Sequence, residues 1–200
     1  DVPASELAVP AAQAALQAIV EKAHLRGADV ILMGRHGRAG RLSLLVGKMT
    51  KRVIDQGFPR VLVAPKESLL TGRQVLVAVD DSANGHQAAR EALSLARTCT
   101  TLERLSVLSV ARTEADRPQH QALAEAVCAE AAGLGPAPAC VPLATVGDPA
   151  VCIVDRARAD GADMNIIGAW RRGAMAGLLR GHVAERVIGT APSGVLVVTA

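Results

Sequence analysis

At 200 residues, half of them hydrophobic and with a formal net charge of +3, the chain has material for one large domain or two small ones around a true apolar core. Phe58 and Trp170 are its only aromatic residues, so the core is built from Ala, Val, Leu and Ile, which favours helices packed on an aliphatic sheet. The mild charge and missing aromatic platforms argue against a general nucleic-acid binder, and no apolar run approaches the roughly 20 residues that span a bilayer.

Pro10 is placed to open a helix, and the alanine-rich stretch 11–23 has high helix propensity until Gly27 ends it. Val30-Ile31-Leu32-Met33 reads as a short buried strand that stops in a Gly-rich basic loop over 34–40. Residues 42–54 carry apolar positions at helical spacing, with Arg52 near the end, and Val61-Leu62-Val63-Ala64 is a further strand stopped by Pro65. The polar stretch 66–74, which contains Gly72, is the natural linker.

Beyond it, Val75-Leu76-Val77-Ala78-Val79 is an apolar strand ending in Asp80-Asp81-Ser82, where a helix begins and continues over 88–97. Strands at 105–110, 141–146, 164–167 and 195–199 alternate with helices at 119–132, from Pro149 onward, and at 176–188. Asp148 is expected to cap the helix that Pro149 opens. Strands and helices alternating at this spacing imply a doubly wound parallel sheet with helices on both faces.

An internal repeat runs through this order. Sliding the chain by 134 residues without a gap lays residues 20–65 on 154–199, with 16 identities in 46 positions. Gly27-Ala28-Asp29 falls on Gly161-Ala162-Asp163, Gly34 on Gly168 and Gly47 on Gly181. Arg52-Val53-Ile54 falls on Arg186-Val187-Ile188, and Val61-Leu62-Val63 on Val195-Leu196-Val197. Two copies of one unit are expected, the second with five strands. The first has only nine residues ahead of Pro10 where strands one to three would lie. Its fourth strand would then present an open edge, which natural sheets avoid. Either the chain starts inside a domain, the favoured reading, or another chain supplies those strands.

Gly34, Gly37 and Gly47, with Arg35, His36, Arg38 and Arg41 among them, make a strand-loop-helix shape suited to an anion. Glycine lets backbone N–H groups approach a phosphate, and the helix N-terminus favours negative charge. The alternative role for these glycines is tight turns and close helix packing. Asp80 is a nucleoside ligand at a strand's carboxyl end or a helix N-terminal carboxylate. Arg171, Arg172, Arg180 and His182 are a phosphate clamp or a solvated basic face, and Trp170 stacks on a base or fills a groove. His24, His86 and His120 are expected at the surface.

Cys99, Cys128, Cys140 and Cys152 form no C-x-x-C pair and the histidines lack ligand spacing, so free thiols in a reducing cytoplasm and no metal site are expected. Asp1-Val2-Pro3 shows no signal-peptide character, which predicts a soluble cytoplasmic chain or a soluble piece of a larger one. The serines lack a Gly-x-Ser-x-Gly elbow, and the glycine loops have neither a Walker lysine nor Mg²⁺-binding carboxylates, so no enzyme is expected.

The first strand with its acidic end at Asp80-Asp81-Ser82, Gly147-Asp148-Pro149-Ala150, Gly161-Ala162-Asp163, Gly34-x-x-Gly37 with nine residues to Gly47, and Val195-Leu196-Val197-Val198 resemble the universal stress protein family in its tandem form. Residues 1–70 then correspond to the C-terminal half of a first domain and 71–200 to a complete second one. The resemblance implies an α/β fold: a Rossmann-like, adenine nucleotide alpha hydrolase-like, five-stranded parallel sheet of order 3-2-1-4-5. It implies a site at the switch between strands one and four, and a regulatory protein of the stress response that binds ATP, with Mg²⁺.

Carried over residue by residue, the resemblance assigns Asp80 to the nucleoside, Val110 to the adenine, and Gly168 and Gly181 to the phosphates. The second copy departs from the pattern at Arg171, which replaces a glycine, and at His182, which replaces a hydroxyl residue. Arg171 would put a Cβ where backbone should come close. The first copy keeps Gly34, Gly37 and Gly47, with Lys48 at the hydroxyl position. The partners implied are an adenine nucleotide, no nucleic acid and no membrane, with either a homodimer or intramolecular pairing of 195–199 with 61–64. The rival reading is a degenerate universal stress domain that binds no nucleotide and acts as a dimerisation module. A slow ATPase is a third.

Overall fold

The computed structural model describes residues 4–35, 48–66, 68–134, 138–169 and 182–199. The chain opens with α1 (Ala4–Leu25), which starts six residues ahead of Pro10 rather than at it. A proline within a helix removes one N–H bond and strains one turn, and the alanines around it favour the helix strongly enough to carry through. Leu16, Ile19, Val20 and Ala23, at helical spacing, seat α1 on the core. Strand β1 (Ile31–Gly34), helix α2 (Lys48–Asp55) and strand β2 (Arg60–Ala64) follow.

Past the linker the order is β3 (Gln74–Ala78), α3 (Ala83–Thr98), β4 (Arg104–Ala111), α4 (Arg117–Ala132), β5 (Ala139–Val146), α5 (Pro149–Asp160), β6 (Met164–Gly168), α6 (His182–Thr190) and β7 (Gly194–Val198). Local chemistry sets the ends of these helices. Ser82 caps α3 by accepting from Gly85 N at 3.0 Å, and Asp148 caps α5 by accepting from Val151 N at 3.0 Å, with Pro149 at the first helical position. Gly161, at φ 61°, takes the left-handed conformation that ends α5. The linker is fastened by Asp163, whose carboxylate accepts from Thr71 Oγ1, from Gly72 N at 3.2 Å and from Arg73 N at 3.0 Å.

All seven strands form one sheet, in the order β1-β2-β7-β6-β3-β4-β5. Every neighbouring pair is parallel except β2 and β7, which run antiparallel with Leu62 opposite Leu196. The sheet is therefore seven-stranded rather than five-stranded, because β1 and β2 extend it through that joint. Alternation along the strands divides the core into two layers. Val75, Val77, Leu105, Val107 and Ile166 face α3 and α4. Leu76, Leu108, Ile167, Val61, Val63, Val195 and Val197 face the side of α1, α2, α5 and α6. Each large aliphatic side chain fully withdrawn from water contributes about 1.5–3 kcal/mol, which makes this continuous aliphatic slab the main stabilising element.

Several polar groups inside the slab are paired, although Asn165 Oδ1 is buried without a hydrogen-bond partner among the described residues. Ser106 Oγ donates to Asp160 at 2.7 Å, and Asn165 Nδ2 donates to Ser193 Oγ at 3.0 Å and Gly194 O at 3.2 Å. Burial raises the proton affinity of the Asp160 carboxyl, but the hydrogen bonds from Arg156 and Ser106 outweigh it and hold the group below its ordinary range.

The expectation of four free thiols is corrected. Cys128 on α4 and Cys140 on β5 form a disulfide with Cα atoms 5.5 Å apart, while Cys99 and Cys152 are free. A sequence separation of 12 residues brings the two together only because β5 folds back beside α4. Among the described residues, no helix is long and apolar enough to cross a membrane.

Candidate functional site

Strands β3, β4 and β6 are parallel neighbours, and their carboxyl ends share one edge of the sheet. The chain leaving β3 crosses to β4 on one side, while β6 flanks β3 on the other. Open α/β sheets leave a crevice at such a switch point. Asp80 lies two residues past β3, exposed to solvent, and its Oδ1 accepts from Ser82 N at 3.0 Å and from the Ser82 hydroxyl. Ser82 in turn holds the first turn of α3. Ser82 is thus the helix cap, and Asp80 orients the cap.

Two glycines let these pieces close on one another. A Cβ at Gly85 would stand 2.1 Å from Asp80 Oδ1, and one at Gly168 would stand 2.3 Å from the Asn84 carbonyl oxygen. Side chains at either position would force the strand ends away from α3. Gly168 accordingly serves close packing of β6 on the α3 N-terminus.

A cavity of about 500 Å³ opens between this loop and α4, lined by Asp80, Asp81, Ser82, Gln119, His120 and Leu123. Its volume falls in the range of small-ligand sites. Gln119 Nε2 donates to Asp81 Oδ2 at 3.2 Å. His120, expected at the surface, is instead half-buried, with Nδ1 2.7 Å from Ser109 Oγ. The buried Ser109 hydroxyl donates to Val79 O at 2.9 Å, so its oxygen accepts from a proton on His120 Nδ1. That assignment, made from the hydrogen-bond network, leaves Nε2 of a neutral ring as an acceptor. The mouth of the cavity is acceptor-rich and suits hydroxyl or amino donors better than phosphate. The clue in the sequence was Ser109 inside an apolar strand, since a buried hydroxyl needs a partner.

The other sequence candidates are spread over the sheet. Val110 is half-buried one residue before the end of β4 and packs against the core layer that contains α5 residues Ile153 and Val154. Gly34 closes β1, where its carbonyl accepts from Thr50 Oγ1 at 3.0 Å. Because β1 and β2 run opposite to the other five strands, Gly34 and Asp80 lie at opposite edges of the sheet, four strand spacings or about 19 Å apart across it. The structure does not bring them together. Gly37, Gly47, Arg171 and Gly181, with Trp170, Arg172 and Arg180, lie outside the described residues. Lys48 and His182 begin α2 and α6, and their side chains also lie outside the description.

Arg35, counted from sequence among the cations of the glycine loop, is committed elsewhere. Its guanidinium donates to Gly189 O at 3.3 Å and to Ala191 O, the carbonyls at the end of α6. Burial lowers its pKa. From the middle of α6, Arg186 donates at 2.7 Å to Asp148, the cap of α5, and holds that carboxyl below its ordinary value. Among the described residues no three His, Cys, Asp or Glu side chains converge as a metal site.

The model of the universal stress protein family matches residues 72–199, which is well over half the chain. The chain belongs to the universal stress protein family. No curated protein is similar enough to match it. A universal stress protein from Archaeoglobus fulgidus DSM 4304 superposes with a TM-score of 0.68 at 22% identity, over 90% of this chain and 64% of that one. A functionally unknown protein from Pseudomonas aeruginosa PAO1 gives a TM-score of 0.67 at 21% identity, over 92% and 67%. A universal stress protein solved in complex with cAMP gives 0.50 at 23%, over 63% of this chain and 95% of that one. At such identities the likeness is one of fold. The chain spans about two thirds of the length of the first two relatives. In this universal stress protein the cavity beside Asp80 opens past the carboxyl end of β3, between the β3–α3 loop and α4, where two carboxylates and a histidine line it.

Proposed function

We propose that this chain is a regulatory protein of the stress response that binds an adenine nucleotide at the carboxyl ends of β3 and β6, without a catalytic role. The observation that carries the reading is the acceptor-lined cavity of about 500 Å³ between the β3–α3 loop and α4, with Asp80 in its lining at the carboxyl end of β3. Asp80 and Asp81 would accept from ribose hydroxyls or an exocyclic amine. The phosphates of ATP, with Mg²⁺ held mainly by those phosphates, would lie toward the start of α6, where Gly168, Arg171, Gly181 and His182 fall in sequence. One universal stress protein of this fold was solved with cAMP, which is itself an adenine nucleotide.

We infer further that residues 71–200 are a complete unit of order 3-2-1-4-5, and that 1–70 are the C-terminal half of a second unit carrying its own loop at Gly34, Gly37, Gly47 and Lys48. The 134-residue repeat and the antiparallel β2–β7 joint support this. Isothermal titration of the full chain with ATP, ADP and cAMP tests the binding reading. Saturable binding is expected, weakened about tenfold by Asp80→Ala through the loss of its hydrogen bonds to ligand. No heat at millimolar nucleotide overturns it.

The second reading, an interaction module without nucleotide, draws on the same joint. Val197→Lys would set a charge in the buried centre of β7 opposite Val61. Unchanged stability and oligomeric state in that variant would remove the joint from any functional account.

A further inference from the structure

The β2–β7 joint carries a local two-fold relation that can be checked residue by residue. Leu62 and Leu196 occupy the same place in the repeat and face each other, while Val61 meets Val197 and Val63 meets Val195 in reciprocal fashion. Equivalent backbone bonds recur on both sides, from Arg35 N to Ala64 O and from Ala169 N to Val198 O, each 2.9 Å. Residues on such an axis meet their own counterparts. In a symmetric pairing they would be identical.

The strands keep that identity, but the charged residues flanking them do not. Lys51 of α2 and Glu185 of α6 are repeat counterparts, 134 residues apart, and Lys51 Nζ lies 2.7 Å from both Glu185 carboxylate oxygens. Two further cations from the first segment reach acceptors in the second. Arg35 donates to the end of α6, and Arg60 Nε lies 2.7 Å from Glu91 of α3. The repeat counterparts of these arginines are Ala169 and Gly194, which carry no charge.

We propose that the joint is a one-way interface, in which Lys51, Arg35 and Arg60 select the second unit of this chain as the partner of segment 31–64 and reject pairing between two like units. Two second units meeting through β7 would oppose Glu185 to Glu185 and leave the α6 carbonyls and Glu91 without their arginines. Two first segments would oppose Lys51 to Lys51. The aliphatic strands are alike enough to pair in any combination, so the charges decide the choice. The inference rests on the repeat reading, and its occupant is the chain's own second unit, not another copy.

The test uses the full chain. Leu62→Cys with Leu196→Cys forms an intrachain 62–196 link on mild oxidation. Its absence, read by peptide mass spectrometry, would remove both the joint and the repeat reading. With the joint established, Leu196→Cys alone reports like pairing, since a 196–196 linked peptide forms only when two second units meet. This peptide is expected to be scarce with native Lys51 and Glu185, and to rise about threefold or more with Glu185→Gln, which removes both the ion pair and the like-charge repulsion. The exchanged pair Lys51→Glu with Glu185→Lys restores the low yield. Equal yields in all three backgrounds, or no restoration by the exchange, overturn charge selection while leaving the joint itself intact.

Discussion

Replacing Gly168 by alanine separates packing from ligand binding at the strand switch. The added Cβ would stand 2.3 Å from the Asn84 carbonyl oxygen and 2.5 Å from its carbon. Ordinary contact needs about 3.4 Å or more, so β6 or the first turn of α3 must give by about 1 Å. Neither can do so cheaply: Asn165, Ile166 and Ile167 next to Gly168 are buried in the sheet, and α3 is held by the Ser82 cap. Overpacking of this kind costs about 1–3 kcal/mol, and because the obstacle is backbone we expect the upper half of that range. For a chain of this size the midpoint of thermal unfolding should fall by about 4–12 °C. Circular dichroism melts without any nucleotide provide the assay. Gly27→Ala is the control, since a Cβ there meets nothing within 4 Å and only its φ of 60° is strained, costing about 1–2 kcal/mol. A Gly168→Ala melt within about 1 °C of the unmodified chain would refute the packing role and leave phosphate contact as the reason for glycine.

Arg35→Ala strips the α6 end of its donors and should cost about 1–3 kcal/mol, with faster hydrogen exchange confined to α6 and the start of β7. An unchanged exchange map would mean the guanidinium contacts contribute nothing. Reducing the Cys128–Cys140 bridge frees a 12-residue connection and should lower stability by about 2–3 kcal/mol, seen as a shift in urea midpoint between reduced and oxidised protein. Asp160 has a folded-state carboxyl pKa below its ordinary value of 3.8. Its stabilising contribution is therefore complete above that value and is lost as pH falls through the lower, folded one. Urea midpoints taken from pH 6 downward should fall less steeply in Asp160→Asn than in the unmodified chain, and parallel curves would assign the acid sensitivity to other carboxylates.

The alternation of strands and helices was legible because each strand is a short run such as Val75-Leu76-Val77 bounded by glycine, proline or acidic residues. The cap at Asp148 was legible because capping depends on residues three apart. His120 was expected at the surface because its partner Ser109 sits on a different element, out of reach of any local pattern. Cys128 and Cys140 carry no spacing signal, since their approach depends on how β5 returns along α4.

The sequence by itself determined what depends on neighbours within a turn or two: the α/β alternation, the helix starts after Ser82 and at Pro149, the acidic end of β3, the 134-residue repeat and the family. Only the tertiary structure decided that β2 meets β7 antiparallel, that Arg35 closes α6, that Lys51 faces Glu185 and that Gly168 makes room for Asn84. Each of those joins residues more than 80 positions apart, where the outcome follows from which surfaces the folded sheet brings within a few ångströms and not from any local pattern.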